Sequence, residues 1–202
     1  MEQNDTKIKI SVRNLVEFIL RSGDLDNRQG GRRDSVDAMQ QGSRIHKKIQ
    51  KSMGSAYRAE VPLTITVPRE LDRTAFEICV EGRADGIFTD EGGNTVIDEI
   101  KGVYRDLSAI EEVVQVHRAQ AMCYAYMYEC ERRGRSAESA FVPAEELCIR
   151  ITYCNIETEG VKYFPEVFSF EELEAWFASL IDEYCKWAAW QYHWREQRNA
   201  SI

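Results

Sequence analysis

What this chain lacks narrows its possibilities first. Its six cysteines, Cys79, Cys123, Cys130, Cys148, Cys154 and Cys185, are scattered among apolar neighbours, and no two form a C-x-x-C pair. That excludes the spacing of a cysteine-held metal cluster and leaves buried free thiols as the expectation. No apolar run approaches the length of a membrane span, and the opening MEQNDTKIKI has no apolar core of the secretory kind. A cytoplasmic setting without membrane contact is expected. Nothing matches the G-x-x-x-x-G-K-S/T pattern, which removes an ATPase of the phosphate-loop kind. Positive charge in excess is missing too. The net charge of −8 argues against a nucleic-acid binder that uses its whole surface, while local patches stay open.

With 202 residues, 44% hydrophobic and 30% charged, the chain suits a single domain with a sizeable core. Its most informative stretch is ICVEGRADGIFTDEGGNTVIDEIK, residues 78–101. Phe76, Ile78 and Val80 alternate with polar or small neighbours, Ile87 and Phe88 lead into Thr89-Asp90-Glu91-Gly92-Gly93-Asn94, and Val96 and Ile97 resume the apolar pattern. This reads as a β-hairpin that brings Asp85 beside Glu99 and Lys101, the latter two on one face of their strand. Like-charged carboxylates on one patch repel, and an oxygen-lined site relieves that by holding a hard divalent cation that also polarises a phosphate. A solvated strand face is the plain alternative.

The order Gly82-Arg83-Ala84-Asp85-Gly86, Ile97-Asp98-Glu99-Ile100-Lys101-Gly102, then Gln120-Ala121-Met122-Cys123-Tyr124 resembles the signature of the PD-(D/E)XK nuclease superfamily, in its RecB-like branch. That branch combines an upstream histidine, an Asp in a G-x-x-D strand, a (D/E)-x-K strand and a Q-x-x-x-Y helix. Ala84 replaces the usual proline and leaves the carboxylate in place, and Glu99 rather than Asp98 has the spacing to Lys101. The resemblance covers roughly residues 40–130.

It implies an α/β (α+β) restriction-endonuclease-like core, a central mixed sheet flanked by helices over about 34–168, with a helix at 169–198 beyond it. It also implies Asp85, Glu99 and Lys101 as catalytic residues, with His46, Asp85, Glu99 and the Ile100 carbonyl around Mg²⁺ or Mn²⁺. Gln120 and Tyr124 would position substrate. The activity implied is a metal-dependent DNA nuclease, an exonuclease of repair, recombination or processing, leaving 5′-phosphate and 3′-hydroxyl ends. Some RecB-like nucleases carry an iron–sulfur cluster on one early and three late cysteines; the pattern here does not match, and none is expected. The competing reading is a non-catalytic DNA-binding or docking module of a larger helicase or repair assembly.

On either side of this signature the pattern is plainer. Ser11 caps a helix on which Val12, Leu15, Val16, Ile19 and Leu20 recur, read as packing without chemistry. Residues 22–33 read as a loop. A helix over 34–53 carries Ala38, Gly42, Ile45, Ile49 and Met53 as a stripe with His46 at its edge, and Gly42 is expected to let the sheet approach. Arg44 and Lys47, with Lys48 and Lys51, cluster there as candidate phosphate contacts. AEVPLTITV, 59–67, reads as a strand, its Glu60 as an edge carboxylate rather than a ligand. A long helix is expected over 109–132, with His117 bordering Gln120 and Tyr124 and a basic run Arg132-Arg133-Gly134-Arg135 at its end. Strands at 147–156 and 161–168 precede a capping box, Ser169 with Glu172. On the last helix Trp187, Trp190 and Trp194 recur at one-turn spacing, either folded back on the first helix or awaiting a helicase domain or partner.

Overall fold

In the computed structural model, which describes residues 6–20, 32–134 and 146–200, strand β1 (Thr6–Ser11) runs directly into helix α1 (Val12–Leu20). Helix α2 (Arg32–Ser52) precedes strands β2 (Arg58–Leu71), β3 (Thr74–Thr89) and β4 (Thr95–Val103). Helix α3 (Gln115–Gly134), strands β5 (Glu146–Asn155) and β6 (Val161–Ser169) and helix α4 (Phe170–Ala200) complete the order. The six strands form one mixed sheet flanked by helices, the mixed α/β architecture expected from the sequence.

The sheet forks at β3. β2 lies antiparallel along almost all of that strand, from Leu71 opposite Thr74 to Arg58 opposite Ile87. On the other edge of β3, β1 pairs in parallel with the first half, Thr6 opposite Phe76 through Ser11 opposite Glu81. β4 pairs antiparallel with the end only, Gly86 opposite Asp98 through Thr89 opposite Thr95. On that edge, residues 82–85 of β3 therefore face a gap in which none of the described strands pairs with them. Past Asp98, β4 leaves β3 and continues beside β5, in parallel, to Val103.

Alternation builds the strands. Phe76, Ile78 and Val80 point into the core at 2% exposure or less, each fully buried side chain contributing about 1.5–3 kcal/mol. Leu147, Ile149 and Ile151 of β5 join them under α3 and α4. α1 starts where Ser11 Oγ accepts from the Asn14 N–H at 3.1 Å, and α4 where Ser169 and Glu172 exchange hydrogen bonds of 2.8 and 3.1 Å.

Four expectations need correction. The polar opening hides a strand, because Lys7 and Lys9 alternate with Ile8 and Ile10 and pair with Glu77 and Glu81 across the ladder. α3 starts at Gln115 rather than 109: Asp106 caps a short 3-10 turn, Leu107–Ala109, and Ile110 leaves it in extended conformation. A Cβ on Gly42 would meet nothing within 4 Å among the described residues, so the sheet does not make the expected close approach there. Arg132 and Arg133 turn back to the fully buried Glu129, at 2.9 and 3.1 Å, and do not form an outward basic patch. The expected loop at 22–33 lies, up to residue 31, outside the described residues, as does Arg135.

Candidate metal centre

The gap opposite residues 82–85 is where the chemistry-bearing side chains meet. A cleft of about 660 Å³ is lined by His46, Lys47 and Gln50 of α2, Glu60 of β2, Arg83 and Asp85 of β3, Glu99 and Lys101 of β4, Gln120 and Tyr124 of α3, and Arg13 of α1. Helices from both faces of the sheet reach the same cavity because the strands part there.

Register explains the acidic floor. One step beyond the Gly86–Asp98 pair, Asp85 stands opposite Glu99; on its other side it stands opposite Glu60, between the pairs Ala59–Gly86 and Val61–Ala84. Three carboxylates therefore lie in one cross-strand row. Asp85 Oδ2 accepts the Ile100 N–H at 2.7 Å, standing in for the ladder partner that the fork removes. In an extended strand a residue's N–H and C=O project to the same side, so the Ile100 carbonyl also faces the gap.

Asp85 Oδ1 lies 3.2 Å from His46 Nδ1. Two neighbouring ligands of an octahedral cation with bonds of about 2.0–2.2 Å stand roughly 3 Å apart, so this pair fits a cation in place of a proton. Burial opposes protonation of His46, but the Asp85 hydrogen bond and charge prevail and raise its pKa. Glu99 is buried, its Oε1 2.6 Å from Lys101 Nζ. Burial first, then the charge of Asp85, push its pKa up to about 7, with Lys101 pulling the other way. The donor set of carboxylates, a carbonyl and one imidazole suits Mg²⁺ or Mn²⁺. Ligating atoms of His46, Glu60 and Asp85 lie within 4.8 Å of one another; Glu99, turned to Lys101, stands outside that group.

α3 closes the gap from the other face. The Tyr124 hydroxyl lies against β3, where a Cβ on Gly82 would come within 2.7 Å of it, and it meets the main chain at Arg83. Gln120 is 4% exposed, and its Oε1 meets no hydrogen-bond donor among the described residues. His117, one turn earlier, is held through Nδ1 by the Tyr153 hydroxyl at 2.9 Å, which itself accepts from the Val114 N–H at 3.1 Å. Burial and the nearby Lys101 and Arg13 lower the His117 pKa to about 4, so it stays neutral. A neutral imidazole pairs with the phenol through Nδ1 in either direction, its tautomer setting which of the two donates.

Of the sequence-predicted residues, the cleft unites His46, Lys47, Asp85, Glu99, Lys101, Gln120 and Tyr124, with Ile100 at its wall. Arg44 does not join them; it lines an adjoining groove of about 960 Å³ with Gln40, Ser43, Lys47, Lys48 and Lys51. Lys48 is drawn away by an ion pair with Glu159. Arg13, Ser43, Gln50, Glu60 and Arg83 also line the cleft and were not among the site residues the sequence pointed to. Arg13 was hidden in a helix that reads as packing, although its position one residue past the helix start was a usable signal. Glu60 was set aside because edge-strand carboxylates are common. Asp98, the alternative acid before Lys101, faces away: it is fully buried and accepts from Tyr57, Arg150 and Thr152.

Comparisons with known proteins add little to this geometry. No family model matches the chain, and no curated protein matches it. Among solved structures the crystal structure of SSO0001 is similar, with a TM-score of 0.48 and 15% identity, covering 90% of this chain and 76% of that one. No described helix is long and apolar enough to cross a membrane.

Proposed function

We propose that this chain is a divalent-metal-dependent nuclease that hydrolyses phosphodiester bonds in DNA, as an exonuclease. The observation that carries the reading is the convergence of Asp85, Glu99, Lys101 and His46 at a fork in the sheet, in the order and spacing of the RecB-like signature. The six free cysteines fit a reducing, cytoplasmic setting.

In this reading Asp85, Glu99, the Ile100 carbonyl and His46 hold Mg²⁺ or Mn²⁺. Such an ion supplies Lewis acidity, polarising the phosphoryl group and acidifying a coordinated water. Hydrolysis adds a water oxygen to phosphorus and expels a sugar alkoxide, which must gain a proton. Lys101, with its ammonium at the cleft and 26% exposed, stabilises charge as it develops on the phosphoryl oxygens. Gln120 and Tyr124 offer hydrogen bonds without adding charge and fix the strand. Arg13, Lys47 and Arg83 ring the anionic floor with cations that draw the polyanion in, and Arg44 extends that contact along α2. Trp187 packs on Phe18, ring centroids 4.8 Å apart, whereas Trp190 and Trp194 are 63% and 50% exposed. They are the place where a helicase domain or another partner would pack.

The test is incubation of the pure chain with linear and circular DNA, single- and double-stranded, with Mg²⁺ or Mn²⁺. Metal-dependent cleavage of linear DNA that disappears in Lys101→Ala is expected. Cleavage that survives in that variant overturns the assignment to this site, and DNA binding without cleavage under either ion favours the docking module instead.

A further inference from the structure

The outer strands β2 and β6 show solvent very different faces. On β2 the exposed alternate residues are Pro62, Thr64, Thr66, Pro68 and Glu70, the hydroxyls, charge and prolines that keep an edge from pairing. On β6 they are Val161, Tyr163, Pro165 and Val167, an all-apolar strip on one side of the sheet. Val161, Tyr163 and Val167 are 38%, 49% and 54% exposed. Helix α2 covers only the inner part of that side, where Ile45 and Ile49 pack on Ile100 and Cys154.

The main chain of β6 is open along the same edge. At the neck of the β5–β6 hairpin the Asn155 N–H donates to Gly160 O at 2.9 Å, and alternation from that pair makes Cys154–Val161, Thr152–Tyr163 and Arg150–Pro165 the non-hydrogen-bonded pairs. The main-chain groups of Val161, Tyr163, Pro165 and Val167 therefore point away from β5, to a side where none of the described strands runs. Pro165, with no N–H to give, stands where β5 requires none.

We propose that β6 is an interface between two copies of this chain, joined antiparallel about a twofold axis through Phe164 so that their sheets become one. The sequence VKYFPEV is self-complementary in that register. Lys162 falls opposite Glu166 of the second copy, Tyr163 opposite Pro165, Val161 opposite Val167, and Phe164 opposite itself. Unlike charges thus meet on one side of the joined sheet and apolar side chains on the other. Tyr163 has one ring face taken by Arg150, whose guanidinium carbon lies 4.7 Å from the ring centroid. Pro165 of the second copy would meet the Tyr163 side chain at the edge. Val161 and Val167 exchange both main-chain bonds across the axis, and Tyr163 donates to the Pro165 carbonyl; the missing Pro165 N–H leaves the Tyr163 carbonyl to water. Because the strand pairs with itself, the contact closes at two copies instead of growing into a fibre. The cleft lies at the β3–β4 fork, two strands away from β6, and the interface is independent of the nuclease reading.

The experiment is analytical ultracentrifugation of the full chain over a concentration series. A reversible monomer–dimer equilibrium is expected, and Val167→Arg, at a solvent-facing side chain that spares the fold, is expected to shift it to monomer. Lys162→Glu and Glu166→Lys are each expected to weaken the dimer at least about tenfold, because like charges then face each other twice. Mixed in equal amounts, these two variants are expected to pair with one another, since unlike charges meet again at both positions. A wild type that stays monomeric throughout overturns the interface, as does a dimer that Val167→Arg leaves unchanged. A dimer that survives both charge reversals, or that mixing does not restore, overturns the register about Phe164.

Discussion

Asp98 and Glu99 are neighbours on one strand and live in opposite circumstances. Asp98 has four donors for two oxygens: Tyr57 at 2.9 Å, Arg150 through Nε at 3.0 Å and Nη2 at 2.7 Å, and Thr152 at 2.5 Å. Arg150 is itself held over the rings of Phe88 and Tyr163, at 4.5 and 4.7 Å. Glu99, on the other face, faces Asp85 and is neutralised by Lys101 alone among its nearest charges of opposite sign on the strand. A closed network stabilises the fold and has nothing left to offer a ligand. An open one holds its charge badly without a counter-ion, which is the property that the proposed metal centre needs.

The comparison breaks most visibly at Asp98. Asp98→Ala strands the Arg150 guanidinium, 14% exposed, and removes the partner of Tyr57 and Thr152. A loss of about 3–5 kcal/mol in urea unfolding is expected. On the open side Lys101→Ala is expected to lower cleavage by about 10²–10³-fold, about 2.7–4 kcal/mol, read from single-turnover rates. The two glycines of GRADG divide the same way. A methyl on Gly86 would collide with the Tyr57 hydroxyl that lies over it to reach Asp98, so Gly86→Ala is expected to cost about 1–3 kcal/mol of stability. Gly82→Ala instead presses on Tyr124, and its main effect is expected in cleavage.

The smallest effect is in pH. Glu99 has its pKa raised by burial and by Asp85, from an ordinary 4.5 to about 7. Between those values the folded chain holds a proton that unfolding releases, so raising the pH favours unfolding. Without divalent ions, the Glu99 contribution is expected to fall as pH rises from about 4.5 to 7, opposed below about 6.5 by His117, whose lowered pKa makes stability rise with pH; Glu99→Gln is expected to remove the falling part in denaturation series. Mn²⁺ reverses the preference by favouring the carboxylate, so its affinity is expected to rise with pH over the same window.

Much of this was legible beforehand. The hairpin was written in the alternation of Phe76, Ile78 and Val80 and in the Gly-rich turn, and the spacing of Glu99 and Lys101 put both on one face. The capping box at Ser169 was equally plain. β1 was not legible because six residues with two lysines look like solvated tail until Glu77 and Glu81 are placed opposite them. Glu60 was beyond reach because apolar periodicity carries no record of a positive φ. Asp98 and Glu99 could be told apart by spacing to Lys101, but the reason for two adjacent acids emerged only with Arg150, fifty-two positions along the chain and beside Asp98 in the parallel ladder.

The bond from the Ile100 N–H to Asp85 Oδ2 has a consequence for ion choice. That bond engages one lone pair of Oδ2 and holds the Asp85 carboxylate in one orientation, with Oδ1 turned to His46, which favours coordination through one oxygen over chelation through both. Calcium, which favours bidentate carboxylates and six to eight oxygens at 2.3–2.6 Å, is poorly served by such a corner, whereas a small octahedral ion loses nothing. Discrimination between the two would then be set by the backbone of β4 rather than by the identity of the acid on β3.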